Sequence, residues 1–305
     1  MKYRRLGKTQ MRVSVVGVGT WQLGGEWGKT FQQAEVDAML AKAAELGINL
    51  IDTAECYGDH LSERLIGQAV KGGRDKWIIA TKFGHRFKPG FDREMLFEPA
   101  QVRKQLEDSL KGLQTDYIDL YQFHSGTDEQ FETPGLWEML QEQVRAGKVR
   151  HLGASISSKF TTNYQADKAP AVAAEAIQVV YNRIERKPEQ QVFDSCIRQD
   201  LGVLARVPLA SGFLSGKYGK DTTFADSDVR SVWGDEKQRT ISEVMRLKSE
   251  IPQGVPMAQW ALAWCLQHPA VSCVIPGCKT VQQIEANAKA ADLPAVRDDH
   301  PQAMP

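Results

Sequence analysis

Four ionisable side chains stand where short apolar runs give way to loops: Asp52, Tyr57, Lys82 and His124. Asp52 follows the run Asn49–Ile51, Tyr57 lies five positions on, Lys82 follows Trp77–Thr81, and His124 lies three beyond Tyr117–Tyr121. A tyrosine with its ordinary pKa of about 10 is a poor proton shuttle near neutrality. A buried lysine beside it favours the phenolate and is expected to lower that value. A carboxylate beside the lysine keeps the ammonium charged despite burial, and a histidine on the other side can hold a substrate oxygen. The set reads as a proton donor aimed at a carbonyl or alcohol oxygen. It contains no nucleophile paired with a base and no metal cage, so no metal is expected. Taken singly, Asp52 fits a helix cap, Lys82 a snorkelling chain, His124 a half-buried histidine and Tyr57 packing. Their joint occurrence at successive strand ends carries the catalytic reading, because neighbouring strands lie roughly 5 Å apart.

Something must bring those ends together. Eight short apolar runs recur along the chain: Val13–Val18, Asn49–Ile51, Trp77–Thr81, Tyr117–Tyr121, His151–Ala154, Ala176–Val180, Val203–Val207 and Ser272–Ile275. They lack strict alternation, as strands covered on both faces do. Helical patterns separate them. Gln33–Leu46 sets Val36, Leu40, Ala43 and Ala44 on one face and stops at Gly47; Val102–Leu113, Leu136–Val144, Met257–Gln267 and Val281–Ala290 follow. Alternation of strand and helix with this count predicts a closed (β/α)8 TIM barrel, a single domain over residues 1–305, preceded by a short N-terminal β-hairpin within Met1–Met11. An open dinucleotide-binding sheet fits less well. The glycines after the first run, Gly17, Gly19 and Gly24, miss the required spacing, and no helix opens there. Gly212–Lys217 likewise misses the spacing of a triphosphate-binding loop. The polar segment Leu209–Gly234 follows the seventh run and is expected to form a lid over the active face.

Composition narrows the class. The 305 residues carry 38 Lys+Arg and 38 Asp+Glu, 42% apolar and 25% charged residues. This excludes wholesale disorder and collagen-like or coiled-coil chains, and it argues against nucleic-acid or membrane-surface partners, which want a basic excess. Five cysteines (Cys56, Cys196, Cys265, Cys273, Cys278) are odd in number and without a CxxC, which suits a reducing compartment; a cytoplasmic protein is expected. Met1–Leu6 is too charged for a secretory signal. Ile251–Cys278 holds no charged residue, but Pro252, Pro256 and His268-Pro269 break it into a buried helix and a strand.

At the four ionisable residues the chain resembles the aldo-keto reductase superfamily, most closely its bacterial general-stress and inositol-type branch. Gly47–Gly58, which contains Asp52 and Tyr57 five apart, carries the resemblance, and Ser62–Gly67 continues it. Ala80-Thr81-Lys82 and Tyr121-Gln122-Phe123-His124 are similar to the family's lysine and histidine motifs. Gly153-Ala154-Ser155, Gln178 with Tyr181-Asn182, Pro208–Gly212 and Ile275-Pro276-Gly277 follow in order over nearly the whole chain. The resemblance implies Tyr57 as general acid, Lys82 as its activator, Asp52 as the partner of Lys82, and His124 as the orienter of the carbonyl. It implies NADPH as cofactor, lying across the barrel mouth. Gly19, Thr20, Trp21 and Asp52 would lie near the nicotinamide and its ribose, and Ser155 and Gln178 would hold the carboxamide. Leu209, Ser211, Leu214 and Lys217 would follow the pyrophosphate. Gly277, Lys279, Gln283 and Asn287 would meet the adenosine end, where free helix N–H groups and the Lys279 cation suit a 2′-phosphate.

Three positions depart from the family pattern. Ile156 replaces an asparagine after the carboxamide serine, Arg206 stands where an aromatic ring often stacks on the nicotinamide, and Ala286 replaces an adenine-contacting glutamate. A guanidinium plane can stack as well, so Arg206 keeps a cofactor-binding role. Trp21, Tyr57, Phe83, His124 and Trp233 are expected around a small-molecule carbonyl substrate, and the basic loop Gly84–Lys88 could meet an anionic or polyhydroxyl one. Only Ala291–Pro305 follows the last helix, so the mouth is expected to stay open. The activity expected is NADPH-dependent reduction of aldehydes and ketones by a monomer or weak homo-oligomer. The alternative is an NADPH-holding redox-sensing or regulatory subunit with slow turnover.

Overall fold

Val18 and Gly19 pair in parallel with Ile51 and Asp52, and each later apolar run adds one more parallel neighbour. The computed structural model describes residues 1–158 and 163–305. Among them, eight parallel strands form one sheet: Val18–Gly19, Leu50–Asp52, Ile78–Phe83, Ile118–His124, Val149–Ser155, Ala174–Val180, Gly202–Arg206 and Cys273–Ile275. Parallel bridges from Val16 to Val274 and from Gly19 to Gly277 close first strand to last, giving the (β/α)8 barrel that the eight runs predicted. Gly19 is required at this seam, since a Cβ there would lie 2.6 Å from the Ile275 carbonyl oxygen.

Side chains alternate across each strand, and this sets the interior in layers. Leu50, Ala80, Leu120, Ala176, Leu204 and Cys273 fill a lower, apolar layer. Two residues on in the same strands come Asp52, Lys82, Gln122, Gln178 and Arg206, a polar layer resting on it. The other parity, including Ile79, Phe83, Tyr121 and Phe123, points outward and packs under the helices.

The helices follow the sequence periodicity with local adjustments. Gln33–Glu45 opens with Gln32 and Glu35 bonding reciprocally to each other's backbone, and buries Val36, Met39, Leu40 and Ala43. Ala44, expected on that face, is exposed, because Met39 fills the stripe instead. Gly47 ends the turn at φ +77°, a left-handed conformation that glycine adopts without strain. Pro99–Leu113 begins three residues earlier than the pattern suggested, with proline in its first turn. Leu136–Arg145, Met257–Leu266 and Val281–Ala288 lie where expected. No helix among the described residues is long and apolar enough to cross a membrane.

The N-terminal hairpin is larger than predicted. Tyr3–Arg5 pairs antiparallel with Arg12–Ser14, so Val13 belongs to the hairpin and not to the first barrel strand. Leu6 and Val13 press on the apolar layer and plug the base of the barrel. The buried Arg4 guanidinium donates to the carbonyls of Val271 (2.6 Å) and Leu266 (2.9 Å), which satisfies a cation that burial would otherwise penalise. Ala303–Met304 adds a third strand, pairing with Tyr3 and Arg4. The C-terminal tail therefore runs to the base and leaves the mouth alone.

Candidate active site

The polar layer forms one hydrogen-bonded set. Lys82 is fully buried; its Nζ lies 2.8 Å from Asp52 Oδ1, donates to the Thr53 carbonyl, and approaches the Tyr57 hydroxyl to 3.4 Å. Gln178 Nε2 donates to Asp52 Oδ2 at 2.7 Å, and Gln122 Nε2 lies 3.4 Å from the same oxygen. Ser155 Oγ donates to Gln178 Oε1 at 3.4 Å. The His124 ring meets Tyr57 edge-on, with centroids 6.3 Å apart, and Trp21 stacks on Tyr57 at 5.9 Å. Asp52, Tyr57, Lys82 and His124, four positions scattered over 73 residues, thus converge.

Their charge states follow from burial and neighbours. Burial works against the Lys82 ammonium, but Asp52 and Tyr57 outweigh it and its pKa is raised. Burial pushes the Tyr57 phenol up to about 12, against the pull of Lys82. This corrects the expectation of a lowered tyrosine: desolvation outweighs the lysine, and the phenol is protonated at neutral pH. Burial, then Lys82 and Arg206, hold His124 well below the usual histidine range, so its imidazole is neutral.

A cleft runs away from this set across the barrel mouth. Gly19, Thr20, Trp21, Asp52 and Tyr57 line it, as do Gln178 and Arg206. Leu209, Ser211, Lys217, Gly277, Lys279, Gln283 and Asn287 line it as well, and Gly277 is bridged to Gly19 at the barrel seam. Thr280 caps the helix Val281–Ala288 by accepting from the Gln283 N–H, and Gln283 Oε1 accepts from the Lys279 N–H at 2.7 Å. Arg206 donates to the Ile156 carbonyl at 3.1 Å, while its buried Nε has no partner.

The segment after the seventh strand crosses part of the rim. Asp228 bridges antiparallel to Trp27; the Gly28 N–H donates to Ser227 and the Val229 N–H to Glu26. Arg230 grips Asp228 with two bonds of 2.9 and 2.7 Å, and Lys279 donates to the Trp27 carbonyl. The result is a strap between two loops that meet over the cleft. Its base is packed: Phe213, Leu214, Ile241, Val244 and Leu247 form a small core of their own.

Besides Lys82 and His124, four expected site residues do not line the cleft. Phe83 is fully buried against Tyr121, Phe123 and Trp137, because one step along the strand from Lys82 reverses the side chain. Trp233 packs on Phe213 and Leu214 is wholly buried, both within the small core of the strap. Ser155 is buried behind Gln178. The loop Gly84–Lys88 is one arm of a ribbon, His85–Lys88 paired with Asp92–Met95, and Arg86 is matched by Glu94. Reading the sequence overlooked Gln122, which shares parity with His124, and the Trp21–Glu26–Arg93 chain. In that chain Trp21 Nε1 donates to Glu26 at 2.9 Å and Arg93 grips the same carboxylate at 2.6 Å. Only the alternation rule was available as a signal for the former, and none for the latter.

A parallel eight-stranded barrel with a buried Asp–Lys pair beside a tyrosine at its mouth defines a barrel enzyme with its active face at the strand C-termini. The model of the Aldo/keto reductase family matches residues 15–303, and the chain belongs to that family. It is 33% identical to the aldo-keto reductase YhdN of Bacillus subtilis (strain 168) over 299 residues, covering 94% of this chain and 87% of the relative. Among solved structures it resembles the holo form of the aldo-keto reductase AKR11C1 from Bacillus halodurans (TM-score 0.80, 30% identity, covering 96% of this chain and 91% of that one). It also resembles the glycerol dehydrogenase AKR11B4 from Gluconobacter oxydans (TM-score 0.81, 28% identity, covering 95% and 90%). The family comprises oxidoreductases that use nicotinamide cofactors on small-molecule carbonyls.

Proposed function

We propose that this chain is an NADPH-dependent reductase of aldehydes and ketones, with residues 1–305 acting as one catalytic unit and Tyr57 as the proton donor. The observation that carries the reading is the fully buried Lys82, held by Asp52 at 2.8 Å and set 3.4 Å from the Tyr57 hydroxyl.

The cleft suits an elongated polar cofactor. Three of its lining residues keep buried polar atoms without a partner: Gln22 Oε1, Trp27 Nε1 and Arg206 Nε. A bound ligand can satisfy such groups, whose isolation is otherwise costly. Gly277 leaves the backbone bare against the Gln22 side chain, where a Cβ would clash at 2.2 Å. Thr20, Trp21, Gln178 and Arg206 would hold the nicotinamide half, and Ser211 and Lys217 the pyrophosphate. Lys279, Gln283 and Asn287 would take the adenosine phosphate end.

When bound, the nicotinamide supplies the hydride. The protein handles the proton and the developing negative charge. Neutral His124 donates a hydrogen bond to the carbonyl oxygen and orients it. Tyr57 gives its hydroxyl proton to that oxygen as the C–O bond becomes an alkoxide. Lys82 stabilises the phenolate left behind, and Asp52 keeps Lys82 charged and in place. Trp21, stacked on Tyr57, shields the site from water. Family membership favours this enzyme over a slow redox-sensing subunit. Five buried free thiols among the described residues suit a cytoplasmic setting.

The test is titration with NADPH and NADH by tryptophan fluorescence, then a carbonyl panel. Small polyhydroxylated aldehydes belong in the panel, given the glycerol dehydrogenase among the similar structures. Tighter binding of NADPH and carbonyl-dependent oxidation of it are expected. Tighter binding of NADH, or no oxidation across the panel, would overturn the reading.

A further inference from the structure

Next to His124 lies a second group of donors that the proposed proton transfer does not use. Cys56 Sγ is 3.9 Å from His124 Nδ1, and Glu55 Oε2 is 3.7 Å from the same nitrogen. His85 stacks on His124 with ring centroids 4.3 Å apart. One ligand atom from each of Cys56, His85 and His124 lies within 4.8 Å of the other two. Two donors here are orphans: Glu55 Oε2 and His85 Nε2 are buried without a hydrogen-bond partner. Glu55 is 2% exposed, and its Oε1 accepts from the His85 backbone N–H at 2.8 Å, which leaves Oε2 facing His124.

We propose that Cys56, His85, His124 and Glu55 form a binding site for a thiophilic divalent cation of the zinc or cobalt class. One thiolate, two imidazoles and one carboxylate are the ligand types that zinc takes in four-coordinate sites. Bonds of about 2.3 Å to sulfur and about 2.0 Å to nitrogen or oxygen place tetrahedral ligands roughly 3.3–3.5 Å apart. The contacts from His124 Nδ1 to Cys56 at 3.9 Å and to Glu55 at 3.7 Å are each about 0.4 Å longer, a gap that a small side-chain shift closes. The two rings are stacked at 20°, so one must turn to face a shared ion. The ring torsion of histidine is broad, and His85 Nε2 gives up no hydrogen bond by turning.

The charges balance. Cys56 releases its proton to solvent on binding, and thiolate plus carboxylate neutralise the dication. Of the cations nearby, Arg93 is matched by Glu26 and Lys82 by Asp52, while Arg206 donates to the Ile156 carbonyl. A cation on Nδ1 leaves the proton of His124 on Nε2, so occupancy fixes the ring's tautomer. None of the four residues lines the cofactor cleft; His124 is shared with the proposed reaction, but metal binding is read without turnover and so is tested separately from it.

The experiment uses the full chain, stripped of metal with a chelator and titrated with Co2+. One equivalent is expected to bind, with a thiolate-to-cobalt charge-transfer band and the intense visible bands of tetrahedral cobalt, and Zn2+ should displace it. Cys56→Ser should abolish the charge-transfer band, and His85→Gln should weaken binding about tenfold or more. X-ray absorption of the zinc-loaded protein, which needs no variant, should show one sulfur among three nitrogen or oxygen ligands. Absence of saturable binding, a cobalt spectrum unchanged in Cys56→Ser, or a zinc shell without sulfur would each overturn the proposal.

Discussion

Gln178 Nε2 lies 2.7 Å from Asp52 Oδ2, a hydrogen bond that crosses the barrel from the sixth strand to the second. Asp52 therefore has a donor on each oxygen, Lys82 on Oδ1 and Gln178 on Oδ2. Gln178 also approaches Gln122 Oε1 at 3.3 Å and accepts from Ser155. The amide expected to hold a nicotinamide carboxamide is thus already engaged in aligning the aspartate, and a bound carboxamide must share or displace the Ser155 bond. Gln178→Leu should remove one donor from a buried carboxylate, costing about 1–3 kcal/mol. Urea unfolding at neutral pH measures this; a change within error would remove the positioning role.

Asp52→Asn should be harsher. It leaves the fully buried Lys82 ammonium without its counter-charge, and breaking a buried pair in this way costs about 3–5 kcal/mol. The same unfolding experiment applies. A companion Asp52→Asn, Lys82→Met chain should recover much of the loss, since both charges are then gone.

Tyr57→Phe should lower turnover by about 10²–10⁴-fold while NADPH still quenches tryptophan fluorescence. The ring stays stacked on Trp21, so cofactor affinity should hold within a few-fold. Near-normal turnover would remove Tyr57 as the acid.

The pH dependence of catalysis has a definite sign. With the phenol held up near 12 by burial, Tyr57 is protonated and competent to donate across roughly pH 6–9, so carbonyl reduction should be nearly flat there. The reverse oxidation needs the phenolate, whose fraction rises about tenfold per pH unit below 12. Alcohol oxidation should therefore climb with pH, and steady-state rates in both directions decide it.

Stability should respond to acid through His85. Burial, then the neighbouring His124, lowers its pKa to about 3, against an ordinary value of about 6.5 in the unfolded chain. Between those values the unfolded state binds the extra proton, so stability is intact above about 6.5 and falls as pH drops toward 3. His124 acts in the same direction. Urea midpoints at pH 5 and 7 should differ less in His85→Gln than in the unaltered chain.

The barrel and its four ionisable strand-end residues were legible because both rest on short-range regularities: strand–helix alternation, and apolar runs that end in charge. What escaped notice depended on parity or on long-range contact. Phe83 faces away from the cleft by a single step of alternation from Lys82, a rule the sequence does contain. Val13 could be placed in the hairpin only through its pairing with Arg4, and the C-terminal strand only through Tyr3 and Met304. The sign of the Tyr57 shift is not local information, because motif residues reveal a neighbour's charge but not the desolvation that outweighs it. The Asp228–Trp27 strap joins positions 201 apart and leaves no local trace.

The antiparallel pairing of Tyr3 with Met304 has a practical consequence for handling the protein. Both chain ends lie on the sheet that plugs the barrel floor, opposite the cleft. A tag, fluorophore or surface tether on either end would hang from that floor, and a protein immobilised through it would present its mouth to solution.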